Sequence, residues 1–348
     1  MATTKIVILN WNGAQHLARF LPSVVRNTPS WAGIVVADNG STDDSLELLS
    51  NRFPTVETIR LDKNYGFAGG YNRALERIEA DYAVLLNSDV ETPEGWLEPL
   101  IATLEAMPDV AAVAPKLLSV AEPDRFEYAG AAGGYIDYLG YPFCRGRILG
   151  ATERDEGQYD DARDVFWVSG AAFCCRLEAF RRAGGFDETF FAHMEEIDLC
   201  WRMQLAGMRI RIEPRSRVYH LGGGTLPTSS PAKLFYNHRN NLAMIFKCAP
   251  TRQRITAALL RPLCDLAAAL SYLAAGNGAG FISVVRAWRD FIASHKRLSA
   301  ARRTLRAQRT AEAGHIYKGS VVVRYLFGTR RFSSIKSLAD DAKDPCCP

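Results

Sequence analysis

Tyr82-Ala83-Val84-Leu85-Leu86-Asn87-Ser88-Asp89 is a short apolar run that ends abruptly in an amide, a hydroxyl and a carboxylate. Three earlier apolar runs, at 5–9, 33–37 and 57–61, are each followed by a stretch with helical periodicity. Short apolar strands that alternate with amphipathic helices are typical of a parallel sheet covered by helices. The sequence therefore predicts an α/β fold.

Two junctions after these strands carry residues typical of helix starts. Ser41 followed by Asp44 predicts a capping box. Thr92 before Pro93 predicts a second start, because proline at the first helical position loses no hydrogen bond. In open α/β sheets, ligands bind beyond the carboxyl ends of the strands. We therefore expect a ligand site among the polar residues of these junctions, which are Asp38, Asn39, Asn87, Ser88 and Asp89.

Charge divides the chain of 348 residues into two parts. Residues 1–250 carry 25 Lys and Arg against 32 Asp and Glu, whereas residues 251–348 carry 17 against 6. With 48% hydrophobic residues, the chain has enough apolar material for a large domain with an appendage. We predict a catalytic domain over 1–250 and a basic helical C-terminal extension over 251–348, with an anionic partner.

The cysteines and the N-terminus indicate the compartment. The eight cysteines include the adjacent pairs 174–175 and 346–347 and form no CxxC or zinc-type spacing, so they predict neither a disulfide framework nor a zinc site. The apolar run at 6–9 is too short for a signal peptide. We therefore expect a cytoplasmic protein, peripheral on the inner face of the membrane.

The C-terminal extension contains an uncharged stretch, 266–285, of about the length of a membrane span. It is mostly alanine and contains Gly276, Asn277 and Gly278, which favours two shorter helices joined by a break. Many basic residues follow, and two arrangements stay open: in-plane attachment to anionic lipid, or a solvated helical hairpin packed on the catalytic domain. We expect no nucleic-acid binding, because the basic run lacks interleaved aromatic residues.

The middle of the chain is less regular. Residues 120–165 are rich in Gly, Tyr and Asp and predict excursions over the site rather than a separate domain. A strand over 166–175, a helix from Leu177, a helix after Glu195 and strands at 208–212 and 217–220 are predicted next.

Three carboxylates lie within four residues: Glu195, Glu196 and Asp198. On a helix, Asp198 and Arg202 are one turn apart and predict a local ion pair. Glu196 points about 100° away from Glu195 and is free to face a substrate. Acidic residues at a helix N-terminus also complement the helix dipole. Beside apolar groups, however, the pKa of a carboxylate rises towards the range of a general base.

Asp89 and His220 are the candidate metal ligands. A hard cation that bridges two phosphates needs only one or two protein oxygens, although Asn-Ser-Asp is also ordinary turn chemistry. His220 precedes the glycine run 222–224, where backbone can approach a phosphate. Asp38 has the chemistry to accept the N3 proton of a pyrimidine, but Asp38-Asn39-Gly40 also predicts an Asx turn.

Taken together, eight segments resemble family 2 glycosyltransferases with the GT-A fold, especially the rhamnosyltransferase-like bacterial branch. They occur in order at 7–12, 38–43, 64–72, 86–89, 184–188, 195–199, 220–223 and 239–242. The resemblance implies a GT-A nucleotide-diphospho-sugar transferase: a Rossmann-like mixed sheet flanked by helices, here followed by the helical extension.

The resemblance also implies the reaction. An inverting, metal-dependent hexosyltransferase would use Mg²⁺ or Mn²⁺ to move a sugar from a UDP- or dTDP-sugar, for example dTDP-rhamnose. The acceptor would be a hydroxyl of a glycan or lipid-linked glycan in cell-surface polysaccharide or glycolipid synthesis. A sugar nucleotidyltransferase is one alternative, but residues 10–13 lack its glycine-rich, arginine-containing loop. A non-catalytic nucleotide-sugar-binding module is the other.

The same resemblance implies roles for single residues. Glu196 stands at the base position, with Glu195 and Asp198 as alternatives, and Asp89 and His220 stand at the metal. Two positions depart from the family pattern: Asn87 replaces the first carboxylate of the metal motif, and the base is glutamate rather than aspartate. The donor-binding residues implied are Asn10, Asn12, Asp38, Asn64, Gly69, Asn72, Asn87 and Arg239.

Overall fold

Four parallel strands form one half of the central sheet. They are β1 (Thr4–Asn10), β2 (Ala32–Asp38), β3 (Glu57–Arg60) and β4 (Tyr82–Asn87), in the order β4-β1-β2-β3. All four predicted strands are confirmed in the computed structural model, which describes residues 2–222 and 230–335. Their apolar side chains are buried on both faces, so the carboxyl ends of the strands meet at one polar edge.

The helices between these strands begin later than predicted. They are α1 (Ala14–Asn27), α2 (Ser45–Arg52), α3 (Gly66–Glu76) and α4 (Glu98–Ala106). The predicted capping box is wrong, because the Ser41 hydroxyl accepts a hydrogen bond from the Asn12 amide at 2.9 Å, across the loop. The predicted start at Thr92 is also wrong, because the chain turns through Gly95 (φ 72°) before α4 begins.

The other half of the sheet mixes strand directions. β12 (Ala172–Arg176) runs antiparallel to β4 and to β6 (Val110–Ser119), and β13 (Arg209–His220) runs parallel to β6. The predicted strand over 166–175 is too long, and the two strands predicted at 208–212 and 217–220 are one strand with an irregularity between Glu213 and Arg217. The strands after β4 are β5 (Val90–Glu91), β6 (Val110–Ser119), β7 (Gly134–Asp137), β8 (Pro142–Cys144), β9 (Arg147–Ile148), β10 (Ala151–Thr152), β11 (Arg163–Asp164), β12 (Ala172–Arg176), β13 (Arg209–His220) and β14 (Ile316–Tyr317).

Over the described residues the central sheet has nine strands in the order β11-β13-β6-β12-β4-β1-β2-β3, with β5 paired to β13. A second sheet has the order β10-β9-β8-β7-β14. Residues 120–165 are therefore more regular than predicted. β14 pairs with β7 in parallel, which joins the C-terminal part of the chain to the catalytic part.

The later helices are α5 (Leu177–Arg182), α6 (Glu195–Leu205), α7 (Pro231–Cys248), α8 (Thr251–Ala274), α9 (Gly278–Ala293), α10 (His295–Gln308) and α11 (Val321–Leu326). The predicted break separates α8 from α9, and the Asn277 side chain caps α9 by accepting from the Gly280 amide at 2.8 Å. Among the described residues, α8 is the one helix long and apolar enough to cross a membrane. Gly223, Gly224 and Thr225 and the pair 346–347 lie outside the described residues.

Candidate active site

The ends of β1 and β2 share a buried polar network. Asn10 donates from Nδ2 to Asp38 Oδ2 and to the Ser41 hydroxyl, each at 3.2 Å. Asp38 Oδ1 accepts from the Ser41 amide, three residues further on, at 3.0 Å, whereas the Asx turn that the sequence left open would use the amide two residues further on. Asn12, in a left-handed conformation, accepts from the Thr42 amide at 2.7 Å. The structure thus brings Asn10, Asn12 and Asp38 together, with Asp38 only 2% exposed.

The segment 64–72 packs beside this network. Asn39 donates to Asn64 Oδ1 at 3.1 Å and accepts from the Tyr65 amide at 3.0 Å. Gly69 is buried one turn further along α3. Asn72 instead pairs both polar groups of its amide with the backbone of Phe186, at 2.9 Å each. Asn64 therefore belongs to the site edge, whereas Asn72 holds the turn after α5.

Asn87, Asp89 and His220 meet at the ends of β4 and β13. His220 Nε2 lies 3.1 Å from Asp89 Oδ1 and 3.4 Å from Asn87 Nδ2. On its other side, His220 Nδ1 lies 3.2 Å from Glu127 Oε2. The side chains of Asp89, Glu127 and His220 are at most 10% exposed. A histidine therefore sits between two buried carboxylates, and Glu127 is a member of the site that the sequence did not indicate.

The contacts of His220 with Asp89 and Glu127 determine the charges of Asp89 and His220. Burial favours a higher pKa for Asp89, but the hydrogen bond and the charge of His220 outweigh burial and lower it. Burial favours a lower pKa for His220, but its hydrogen bonds to Asp89 and Glu127 raise that pKa to about 10. With a pKa of about 10, His220 is an imidazolium at neutral pH, and it pairs with the Asp89 carboxylate at 3.1 Å.

The residues present fit a hard divalent cation. Among residues 2–222 and 230–335, no three His, Cys, Asp or Glu side chains form a preformed metal cluster. Mg²⁺ commonly uses one or two protein carboxylates and completes its shell with water and substrate phosphate. Asp89 offers a carboxylate at the site edge, with Glu127 on the far side of His220. Carboxylate oxygens of this kind suit Mg²⁺ or Mn²⁺.

The loop before α6 holds a strained backbone. Phe191, His193 and Met194 have φ values of 63°, 68° and 72°, a region that non-glycine residues rarely occupy. The carbonyl of Phe191 accepts from the amides of Phe67 and Ala68 at 2.7 and 3.2 Å. Such strain persists only where the surroundings fix it, and it concentrates at functional sites. The loop therefore presents the start of α6 in one defined position.

Asn240 on α7 fixes this loop from the other side. Its Nδ2, fully buried, lies within hydrogen-bond distance of the carbonyls of Phe190, Ala192 and His193, at 3.0, 2.9 and 2.7 Å. Arg239 likewise donates to the carbonyl of Thr189 at 2.6 Å. Arg239, predicted to bind the donor, thus binds the backbone that leads into the strained loop. No role was predicted for the neighbouring Asn240, although it lies in the same motif.

We expect Asn240→Ala to lower the free energy of unfolding by about 2–4 kcal/mol, because it leaves buried carbonyls without a donor. Urea denaturation monitored by tryptophan fluorescence measures this change. Asn51→Ala, at an exposed asparagine of α2, is the matched control and should leave the value within about 0.5 kcal/mol. An Asn240→Ala protein as stable as the control would show that the loop does not depend on this amide.

The three carboxylates of α6 have different surroundings. Asp198 is fully buried and binds Arg202 Nε at 2.8 Å and Lys247 Nζ at 2.9 Å. The predicted ion pair with Arg202 is therefore present, and it leaves Asp198 in a structural role. Glu195 is 4% exposed, and burial together with the charge of Glu196 raises its pKa well above the ordinary value.

Glu196 is the carboxylate best placed to act as a base. It is half-buried, its Oε2 has no hydrogen-bond partner, and burial raises its pKa to about 7. A Cβ placed on Gly170 would lie 3.9 Å from the Glu196 Cβ. The next residue, Ala171, accepts from the Asn87 amide at 3.0 Å. Glu196 therefore lies close to the strand end that carries Asn87 and Asp89.

The buried thiol of Cys144 lies near both Glu127, beside His220, and Glu196 of α6. Burial is the main reason that the pKa of its thiol is raised; Arg147 opposes the shift, and the charges of both Glu127 and Glu196 add to it. Both carboxylates thus lie within electrostatic range of one buried thiol. The group around Asp89 and the side chain of Glu196 consequently belong to one region of the molecule.

Comparison with known proteins finds similar sequences. Residues 5–139 match the model of glycosyl transferase family 2. The N-acetylglucosaminyl-diphospho-decaprenol L-rhamnosyltransferase of Mycobacterium tuberculosis is 29% identical over 233 residues, which are 62% of this chain and 75% of that protein. The pre-mycofactocin glycosyltransferase of the same organism is 31% identical over 224 residues, which are 62% of this chain and 42% of that protein.

A solved structure shares the fold. The crystal structure of GalNAc-T7 with UDP, GalNAc and Mn²⁺ superimposes with a TM-score of 0.56 and 19% sequence identity. The match covers 71% of this chain and 48% of that one. The GT-A fold expected from the sequence is thereby confirmed.

Proposed function

Because this chain is a family 2 glycosyltransferase, similar to rhamnosyltransferases, we propose that it is an inverting, metal-dependent hexosyltransferase. The observation that carries this proposal is the pairing of two unlike carboxylates in one region. Asp89 is kept ionised beside His220, whereas the pKa of Glu196 is raised to about 7 by burial. Two titratable groups whose surroundings separate their pKa values are typical of an electrostatic partner and a general base.

The donor would bind along the ends of β1, β2 and β4. In this proposal Asp38 accepts the N3–H of a pyrimidine, because a carboxylate oxygen that already accepts from Asn10 keeps a second lone pair. Asn12 and Asn64, on the loops beside Asp38, line the same edge. Asn87 faces the diphosphate at the end of β4.

Asp89 would be the main protein ligand of Mg²⁺ or Mn²⁺. When bound, the cation stabilises the negative charge of the leaving diphosphate. His220 takes one of two roles: as an imidazolium it binds diphosphate oxygens directly, and after losing its proton it can ligate the metal. Glu127, on the other ring nitrogen, fixes the orientation of the imidazole in either case.

Glu196 would remove the proton from the acceptor hydroxyl. The acceptor oxygen then forms a bond to the anomeric carbon of the sugar, the bond from that carbon to the diphosphate breaks, and the proton stays on Glu196. A single displacement inverts the anomeric configuration. Glu195 lies next to Glu196, and burial together with the charge of Glu196 raises the pKa of Glu195 well above its ordinary value, so Glu195 stays neutral while Glu196 acts as the base.

For the substrates we propose a UDP- or dTDP-sugar, with dTDP-rhamnose as the first candidate, and a glycan or lipid-linked glycan as acceptor. The similarity to a rhamnosyltransferase with a decaprenol-linked substrate in its name supports this choice. The reaction would take place in the cytoplasm, on the inner face of the membrane, in cell-surface polysaccharide or glycolipid synthesis.

Release of nucleoside diphosphate from a panel of nucleotide sugars, with and without Mn²⁺, tests the proposal. A transferase releases nucleoside diphosphate only with metal present. A sugar nucleotidyltransferase would instead need pyrophosphate to cleave the nucleotide sugar and would release no nucleoside diphosphate. A binding module would give a thermal shift with no release of nucleoside diphosphate. Either of these last outcomes would reject glycosyl transfer.

The rate should depend on pH through Glu196. Because the base must be deprotonated, we expect kcat/KM to fall about tenfold per pH unit below the pKa of about 7. A pH–rate profile with a single donor measures this. An apparent pKa near the ordinary glutamate value of 4.5 would contradict the assignment.

The raised pKa of Glu196 also predicts that the free energy of unfolding depends on pH, and this is a check that does not need enzyme activity. The folded-state pKa of Glu196 is above its ordinary value, so its contribution is complete below about pH 4.5 and is lost as pH rises through about 7. Glu196→Gln should therefore be more stable than wild type at about pH 8, by about 1–3 kcal/mol, and equally stable at about pH 4.

A further inference from the structure

One face of α8 is apolar and exposed to solvent. Ile255 and the leucines at 259, 263, 266, 270 and 273 are between 51% and 69% exposed, and their spacings of three and four place them on one side of the helix. We call these six residues the leucine stripe. It extends for about 27 Å at 1.5 Å per residue. A continuous apolar surface of this kind on a soluble protein marks an interaction site.

The charged residues inside α8 lie on its opposite face. Arg261 and Asp265, both at most 2% exposed, face the protein. Arg261 donates to the Leu139 carbonyl at 3.0 Å, and Asp265 accepts from Trp288 Nε1 at 3.0 Å. A membrane-spanning α8 would have to carry this ion pair into hydrocarbon, which is costly. The helix therefore lies along the protein, with only the leucine stripe facing outward.

A second apolar group is anchored at the same place. Val323, Leu326 and Phe327, which we call the α11 tip, are 51%, 76% and 87% exposed. α11 is fixed by the bond from the Val321 amide to Asp137 Oδ2 at 3.0 Å. The start of α8 is fixed by Gln253, which donates to the carbonyl of Tyr138, the next residue, at 3.1 Å. The first residues of α8 and of α11 are thus both bound to the turn that contains Asp137 and Tyr138.

Exposed basic residues lie on the same C-terminal helices as these apolar groups. They flank the start of α8 and the α11 tip and continue along α9 and α10, as Arg252, Arg286, Arg289, Lys296, Arg324 and Arg330. Residues 251–348 carry 17 Lys and Arg against 6 Asp and Glu. Pairing with a second copy would bring two such positive regions together, whereas anionic lipid headgroups complement them. The charges therefore favour a lipid surface over a dimer.

The far end of the leucine stripe leads towards the site. Tyr272 is the residue before Leu273, and the pKa of its hydroxyl is raised by burial and also by the nearby Tyr128. Tyr128 follows Glu127, whose carboxylate contacts His220. The Leu273 end of the leucine stripe is therefore the end that lies near Tyr128.

We propose that the leucine stripe and the α11 tip insert into the headgroup region of an anionic lipid leaflet, with α8 in the plane of the membrane. The surface would then present a lipid-linked acceptor to the site, a consequence that rests on the proposed function. Lipid binding itself does not depend on catalysis. Apolar insertion and attraction to anionic headgroups act together in such attachment.

Sedimentation of the full chain with vesicles tests this. We expect binding to phosphatidylcholine vesicles that contain phosphatidylglycerol, weaker binding to phosphatidylcholine alone, and release by salt. The variant L263E/L270E should bind at least about tenfold more weakly, because it places two charges within the inserted face. Val25→Glu, at an exposed apolar residue of α1, is the matched control and should bind like wild type.

Two outcomes would overturn the inference: wild type that stays in the supernatant with anionic vesicles, or wild type that forms a dimer broken by L263E/L270E. Thermal melting identifies any loss of folding, which these exposed positions should not cause. Nucleoside diphosphate release with a water-soluble acceptor separates the two proposals. If release persists without vesicle binding, the lipid surface is wrong, and if vesicles bind without release, glycosyl transfer is wrong.

Discussion

Asp89→Ala will lower the metal-dependent rate of nucleoside diphosphate release by about 10³-fold or more. Asp89 is the carboxylate at the end of β4, kept ionised by His220 at 3.1 Å. Its removal takes away the carboxylate that we propose as the main protein ligand of the cation, and leaves His220 paired with Glu127 alone. Loss of several kcal/mol of charge stabilisation in the transition state corresponds to this factor.

The rate is best measured across a Mn²⁺ titration, followed by chelation with EDTA. Glu91→Ala, at the exposed glutamate of β5 two residues further along, is the matched control and should keep the wild-type rate and metal dependence. His220→Ala should lose less than Asp89→Ala if the histidine binds diphosphate rather than metal. Wild-type turnover of Asp89→Ala at saturating Mn²⁺ would remove this residue from the metal site.

Glu196→Gln will keep donor binding but lower the rate of transfer by about 10²–10⁴-fold, the contribution usual for a general base. The amide has the same shape and fills the same space beside Gly170 and Phe67, but it cannot accept the acceptor's proton. Thermal shift with the donor and Mn²⁺ reports binding, and release of nucleoside diphosphate in the presence of acceptor reports transfer.

Two neighbouring substitutions separate the role of Glu196 from general damage to α6. Glu195→Gln should leave the pH–rate profile close to that of wild type, because the pKa of Glu195 is raised well above its ordinary value and Glu195 is therefore still neutral when Glu196 ionises. Asp198→Asn should mainly destabilise the protein, since it leaves Lys247 and Arg202 without their buried partner. Full transfer activity in Glu196→Gln would move the base to Glu195.

The strands were predictable because their signal is local. A strand buried on both faces must be apolar along its whole length, and 82–86 meets this requirement without help from the rest of the chain, whereas β3 at the end of the sheet buries only Ile59. The polar residues that end these strands were predictable for the same reason. Helix starts were not, because Ser41 finds its partner in the loop after β1 rather than in its own helix.

The sequence predicted a residue of the site only where that residue lies in a recognisable motif. Asn87, Asp89, His220 and Glu196 come from short recognisable segments, and the structure brings the first three into contact. Glu127 lies in a segment with neither periodicity nor motif, and it reaches His220 across 93 residues of sequence. Asp198, one of the three clustered carboxylates, differs from Glu196 through its buried ion pairs with Arg202 and with Lys247, and Lys247 comes from a distant helix.

The amino-acid sequence alone determined the α/β class, the order of the parallel strands' apolar runs, the motifs shared with family 2 glycosyltransferases and the uneven charge of the two parts of the chain, because each depends on residues close together in the sequence. The tertiary structure decided which carboxylate is free, which residues hold the strained loop before α6, and which face of α8 stays exposed. Each of these depends on groups that meet only after folding, since burial and charge pairing are properties of the packed chain.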